Sequence, residues 1–130
     1  MGGFEAVAAA GSFRDDRPDV VVFPHRWSDE GVSVRTDFTG AHLLHLAVAG
    51  CVLNDVYREA VGLGITIDGV RVTADGGFDT DEWTSTGIEY RVEIDTPASR
   101  ADVEALIAQV DAVAEIPQVL RVGMQIDRAR

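Results

Sequence analysis

Cys51 is the only cysteine in the sequence, and a cysteine thiolate is a strong nucleophile. It lies in a mostly apolar segment from Thr39 to Ala60, whose pattern predicts one long helix. At about 100° per residue, the residues that share one broad face of this helix are Leu44, Ala47, Val48, Cys51, Asp55 and Arg58. The thiol is therefore either a buried core residue, as free cysteines usually are, or a nucleophile in an apolar pocket.

The charges close to Cys51 in the sequence do not favour a thiolate. A reactive thiolate needs a nearby cation or a helix N-terminus, and Cys51 lies well inside its own helix. Asp55, one turn later, disfavours a second negative charge. Arg58 lies on nearly the same face, but Asp55 is placed to pair with it at i, i+3. An activating cation would have to approach from elsewhere in the fold.

Three histidines are candidate metal ligands. His42 and His45 are spaced i, i+3 on the predicted helix, and His25 is a third candidate. No carboxylate partner accompanies the pair on the helix. We therefore predict half-exposed polar residues at the start of a helix and no metal site.

The elements that would position these residues follow an α+β pattern. Thr39 is the predicted N-cap of the long helix, with Gly62 and Gly64 as its stop signal, and a second helix begins at Ser99 and is stopped by Pro117. Residues 4–10 fit a strand or a short helix. The other predicted strands are 20–23, which reads as buried, 32–36, 70–76, 88–95 and a closing strand over 120–126.

A hairpin is predicted from residues 70–76 and 88–95, which pair antiparallel with one solvated face. A polar loop over residues 77–87 joins them and contains Asp79, Asp81 and Glu82. This acidic cluster lacks the spacing and the central glycine of a calcium-binding loop. We interpret it as a solvated hairpin tip.

The composition is that of one ordinary globular domain covering residues 1–130, with 46% apolar and 25% charged residues. No apolar run reaches the roughly 18 residues of a membrane span. The net charge of −11 argues against nucleic-acid binding, because it repels phosphate backbones. The first residues lack the features of a secretory signal and the lone cysteine has no disulfide partner, so we expect a cytoplasmic protein.

The order and spacing of these segments resemble the OsmC/Ohr family of thiol hydroperoxide reductases. The resemblance runs from about Thr39 to Asp127, and the segments that carry it are Leu43-Leu44 through Cys51, Gly64-Ile65 through Gly76, and Ile116-Pro117 through Gly123. It implies an antiparallel sheet with a long central helix and a second helix. It also implies an interlocked homodimer in which strands of residues 1–38 pair across the interface. Cys51 then occupies the catalytic position, and no cofactor is expected.

The chain departs from the family pattern at the partners of Cys51. Active members usually carry a Pro-Glu pair at the start of the long helix, where this chain has Gly40 and Ala41. They also carry a resolving cysteine directly before a late proline, where this chain has Ile116 before Pro117. Without that cysteine, a sulfenic acid on Cys51 has no intramolecular partner. The two-cysteine catalytic cycle is therefore excluded.

Two functions remain open. Cys51 either reduces an organic hydroperoxide and is regenerated by an external thiol, or the chain is a catalytically eroded OsmC-fold dimer that binds a small hydrophobic ligand or has a structural role. In active members an N-terminal arginine activates the thiol. The arginines available for that task are Arg14, Arg17, Arg26 and Arg35, and no motif singles out one of them.

Overall fold

A five-stranded antiparallel sheet and three helices make up the fold, which is α+β as predicted. The computed structural model describes residues 2–129, so Met1 and Arg130, the ends of the predicted domain, lie outside the described residues. In chain order the elements are β1 (Ala6–Gly11), β2 (Val21–Phe23), β3 (Val32–Arg35), α1 (Gly40–Leu63), β4 (Gly69–Asp79), β5 (Thr84–Asp95), α2 (Arg100–Val113) and α3 (Glu115–Val122). Within residues 2–129, no helix is both long and apolar enough to cross a membrane.

The sheet has the strand order β2-β3-β1-β4-β5, and every neighbouring pair is antiparallel. Helix α1 packs across β1 and β4, and α2 packs against α1. Val70, Val72 and Ala74 are fully buried on β4, as their alternation predicts. Alanines in β1 fill the centre of the sheet, where their small side chains let α1 approach closely.

The boundaries of α1 are those its sequence predicts. The Thr39 hydroxyl accepts a hydrogen bond from the His42 backbone N–H at 3.1 Å, which satisfies one of the free amides of the first turn. Gly64 ends the helix in the left-handed conformation, with φ of 68°. Ser99 caps α2 in the same way as Thr39 caps α1, by accepting from the Asp102 N–H.

The predicted closing strand over residues 120–126 is wrong. Residues 115–122 form α3, and the segment that follows Gly123 has no regular structure in the described chain. Pro117 does not act as a stop, because it lies in the first turn of α3, where its missing N–H has no intrahelical partner to lose. Residues two apart lie about 200° apart round a helix, so the alternation predicts a strand, but Leu120, Val122, Met124 and Ile126 are all exposed and mark no buried face.

Two further expectations are corrected. Residues 21–23 form a strand, but it is the outermost strand of the sheet and is exposed, with Val21 at 58% and Phe23 at 51% exposure. The loop predicted over 77–87 is mostly strand, since β4 extends to Asp79 and β5 begins at Thr84, with a register shift between Gly76 and Phe78.

Candidate functional site

Cys51 is half-buried on α1, on the side that meets the start of α3. The backbone amides of Ile116 and Glu115 lie close enough to the thiol to lower its pKa. These amides belong to the first turn of α3, where N–H groups have no intrahelical acceptor and the helix dipole favours negative charge. Cys51 is thus remote from the N-terminus of its own helix but lies at the N-terminus of another.

A cluster of charged side chains surrounds the thiol. Asp55, whose side chain is 1% exposed, accepts a hydrogen bond from the Cys51 thiol with Sγ and Oδ2 4.0 Å apart. Arg58 Nη2 lies 3.1 Å from Asp55 Oδ2, which confirms the predicted i, i+3 pair. Arg58 Nη1 also reaches Glu115 Oε1 at 3.4 Å and so joins α1 to α3.

The pKa of the Cys51 thiol is raised above its usual value. Burial is the largest cause. The backbone amide of Ile116 opposes it, and the negative charges of Asp55 and Glu115 add to the rise. Burial also raises the pKa of Asp55, with Arg58 acting in the opposite direction. At rest the site therefore favours a neutral thiol beside a buried carboxyl group.

The ligand atoms of Cys51, Asp55 and Glu115 lie within 4.8 Å of one another, a grouping that could in principle hold a metal ion. The sequence alone does not predict this group, because Glu115 approaches only through the packing of α3 on α1. The Arg58 guanidinium already bridges the two carboxylates. We therefore interpret the cluster as an ion-paired network around the thiol.

An apolar pocket of about 250 Å³ opens beside this cluster. Cys51 is not among its lining residues, but Val48 lies one turn before Cys51 on α1, and Pro117 directly follows Ile116. One end carries a polar group, in which the Tyr90 hydroxyl donates to the Asp111 carboxylate. The residues that line the pocket are Leu44, Val48, Ser85, Gly87, Ile88, Tyr90, Pro117, Leu120 and Arg121.

The four N-terminal arginines are engaged away from the thiol or lie on other surfaces. Arg14 pairs with Glu30, and Arg17 pairs with Asp15. The Arg26 guanidinium lies 5.4 Å from the centre of the Trp27 ring. Arg35 lines a polar surface pocket that it shares with Asp37 and His42. The arginine that contacts the carboxylates around Cys51 is Arg58.

The three histidines lie in three different environments. His25 is hydrogen-bonded to Ser28 and Asn54, and burial lowers its pKa. His42 stays near the N-cap, with Nδ1 2.6 Å from the Thr39 hydroxyl. His45 is fully buried, not half-exposed as predicted, and its Nδ1 lies 2.7 Å from the carbonyl oxygen of Phe4. Its position on α1 turns it towards the sheet, which the sequence alone did not reveal.

In the acidic cluster of the hairpin, the Asp79 side chain forms hydrogen bonds with the backbone of the turn. Asp79 Oδ1 accepts a hydrogen bond from the Asp81 backbone N–H at 2.8 Å. A second, longer bond comes from the Glu82 N–H at 3.4 Å. Asp79 thus holds the chain reversal between β4 and β5, which agrees with a hairpin tip.

Comparison with known proteins places these features in a family context. The model of the OsmC-like protein family matches residues 33–128. The fold is similar to an OsmC-like protein from Mycoplasma pneumoniae, with a TM-score of 0.60, 19% identity and coverage of 82% of this chain and 89% of that one. It is also similar to an OsmC-like hydroperoxide resistance protein from Jannaschia sp. CCS1, with a TM-score of 0.53, 16% identity and coverage of 95% and 91%. Among curated proteins, none matches this chain.

Proposed function

The chain belongs to the OsmC-like family, and on that premise we propose that it reduces organic hydroperoxides at Cys51, with an external thiol as the reductant. The observation that carries the proposal is the position of the thiol against the first amides of α3. These amides act to lower the pKa of the thiol, against the larger effect of burial, and the attacking species is a thiolate. The similarity to a hydroperoxide resistance protein supports the choice of substrate class.

The reaction has three balanced steps. The sulfur of Cys51 attacks the terminal oxygen of the hydroperoxide, an S–O bond forms and the O–O bond breaks. The thiol proton passes to the departing alkoxide, which leaves as an alcohol, and Cys51 is oxidised to a sulfenic acid. An external thiol then displaces water to form a mixed disulfide, and a second external thiol releases Cys51 as a free thiol.

The apolar pocket supports an organic substrate over hydrogen peroxide. Leu44, Val48 and Leu120 offer an apolar surface in the pocket, and burial of an alkyl or aryl group there is favourable. Hydrogen peroxide has no group that would gain from such a surface. We therefore expect a bulky organic hydroperoxide to react faster than hydrogen peroxide.

We also propose that the chain works as a homodimer in a reducing, cytoplasmic compartment. Apolar side chains remain exposed at the end of α3 and after it, with Val122 at 86% and Ile126 at 82%, and such surface is typical of an interface. The reducing setting follows from the need for an external thiol.

Sedimentation equilibrium should give twice the chain mass of 14.0 kDa. The double substitution Val122→Glu and Ile126→Glu should lower the measured mass towards that of one chain, whereas Glu104→Gln on the exposed face of α2 should leave the measured mass unchanged. A wild-type mass of one chain would contradict the dimer.

Turnover with an organic hydroperoxide and a small thiol tests the proposed reaction. Hydroperoxide consumption should depend on the enzyme and stop in Cys51→Ser, which keeps the size of the side chain and removes the nucleophile. Equal consumption by wild type and Cys51→Ser would contradict the proposal.

The pocket and the raised pKa of the thiol together favour a second candidate function, the binding of a small hydrophobic ligand without catalysis. An apolar fluorescent probe should then bind equally well to wild type and to Cys51→Ser. Leu44→Asp, which places a charge on the pocket wall, should weaken that binding. Binding without any hydroperoxide turnover would favour this second function over the first.

A further inference from the structure

Asp55 is the carboxyl group in contact with the Cys51 thiol, and its burial needs an explanation. It lies one turn after Cys51 on the same face of α1, with its Oδ2 4.0 Å from the sulfur and a side chain that is 1% exposed. A carboxylate is costly to bury unless its partners compensate fully. Arg58 compensates it only in part, because the same guanidinium also contacts Glu59 and Glu115.

We propose that Asp55 is a catalytic residue that takes the proton of the Cys51 thiol and delivers it to the alkoxide leaving the hydroperoxide. This inference rests on the proposed function and deepens it. It assigns the proton transfer that the first step requires to a residue of this chain. A contact of 4.0 Å is long for a proton transfer, but catalytic hydrogen bonds often shorten only when the substrate is bound.

The proton is accounted for through the whole step. In the resting site the thiol holds the proton, and Asp55 is the carboxylate partner of Arg58, with Oδ2 3.1 Å from Nη2. As sulfur attacks the terminal oxygen, the proton moves from Sγ to Oδ2. When the O–O bond breaks, Oδ2 protonates the alkoxide, and Asp55 returns to its ionised form. No co-reactant beyond the hydroperoxide is needed for this step.

Several charged or titratable groups face Asp55. On α1 they are Cys51, Arg58 and Glu59, and on α3 Glu115 approaches the same cluster. The Asn54 amide donates to Asp55 Oδ1 at 3.4 Å, while the Asn54 carbonyl oxygen lies 3.3 Å from His25 Nε2. Removal of the charge of Asp55 therefore changes the electrostatics of the thiol as well as its proton acceptor, and the test must separate the two effects.

The pH dependence of two reactions of Cys51 makes that separation in the wild-type protein. Alkylation by iodoacetamide needs only a thiolate, so its rate should rise about tenfold per pH unit below the thiol pKa. Reduction through Asp55 needs a protonated thiol and an ionised Asp55 carboxylate. Its rate should therefore stay nearly constant between the pKa of Asp55 and the pKa of the thiol. Sulfenic acid formation that rises in parallel with alkylation would overturn the role of Asp55.

The variant Asp55→Asn provides the second test, with Glu115→Gln as a matched control that removes a neighbouring charge but no thiol contact. Both variants should speed alkylation, because each removes a negative charge near sulfur. Only Asp55→Asn should slow sulfenic acid formation, by about a hundredfold at neutral pH. If Asp55→Asn instead forms the sulfenic acid faster, the role of Asp55 is overturned while the proposed function stands. If wild-type Cys51 forms none, the proposed function fails, and the role of Asp55 fails with it.

Discussion

The thiol of Cys51 and the backbone amide of Ile116 are neighbours, although the two residues lie in different halves of the chain. Ile116 occupies the position directly before Pro117 at which the family pattern has a resolving cysteine. The packing of α3 on α1 therefore brings the residue before Pro117 to the Cys51 thiol, while the sequence has no second cysteine.

Ile116→Cys should restore an internal disulfide with Cys51. The backbone amide of Ile116 lies beside the Cys51 thiol, and disulfides form where two residues already approach each other. Mild oxidation should remove two hydrogen atoms from the intact mass and protect both thiols from alkylation. Val122→Cys is the matched control, since it lies about 9 Å further along the same helix at 1.5 Å per residue. Failure of Ile116→Cys to cross-link would contradict the arrangement of α3 against Cys51.

Gly76→Ala should destabilise the fold through His45. A Cβ at residue 76 would lie 2.3 Å from the Gly87 carbonyl oxygen and 2.8 Å from His45 Nε2, and neither can move away easily. Such overpacking costs about 1–3 kcal/mol. Chemical denaturation would measure the loss. Gly77→Ala is the control, because its nearest new contact is the end of the Thr86 side chain at 3.1 Å, and equal stability losses for both variants would contradict this account.

The Tyr90 phenol should ionise at a pH well above the usual pKa of a tyrosine. Burial, followed by the hydrogen bond to Asp111, raises the pKa of Tyr90 to about 12. The pKa is higher in the folded state than in the unfolded chain. The neutral phenol therefore contributes stability below about pH 10, and this contribution is lost as the pH rises towards 12.

Absorbance titration of Tyr57→Phe isolates Tyr90, since the chain has two tyrosines. The variant should show a single phenolate transition near pH 12. A transition near pH 10.0, as for an ordinary phenol, would mean that Tyr90 is neither buried nor hydrogen-bonded to Asp111. Asp111→Asn should lower the midpoint, because it removes the negative charge that opposes ionisation.

The sequence was informative where local chemistry decides the structure. Thr39 and Gly64 mark the ends of α1 because capping depends on a few adjacent residues. The alternation of Val70, Val72 and Ala74 identified the buried face of β4, since side chains in a strand point to opposite faces. The pairing of Asp55 with Arg58 followed from helical spacing alone.

The environment of Cys51 could not be predicted in the same way, because it depends on the tertiary placement of α3. The apolar alternation from Leu120 favours a strand, whereas Pro117 is compatible with the first turn of a helix. Once this segment is helical, its N-terminal amides and Glu115 reach the thiol. A contact between distant parts of the chain leaves no periodic signal in one sequence.

Mass spectrometry of Cys51 after one equivalent of an organic hydroperoxide tests the central claim most directly. The reduced protein is mixed with the hydroperoxide, trapped with a reagent specific for sulfenic acids and digested. We expect the trapped adduct to form on the Cys51 peptide, to grow with hydroperoxide dose and to disappear when a small thiol is added before the trap. An unmodified Cys51 thiol, with the hydroperoxide still intact and the protein still folded, would contradict it.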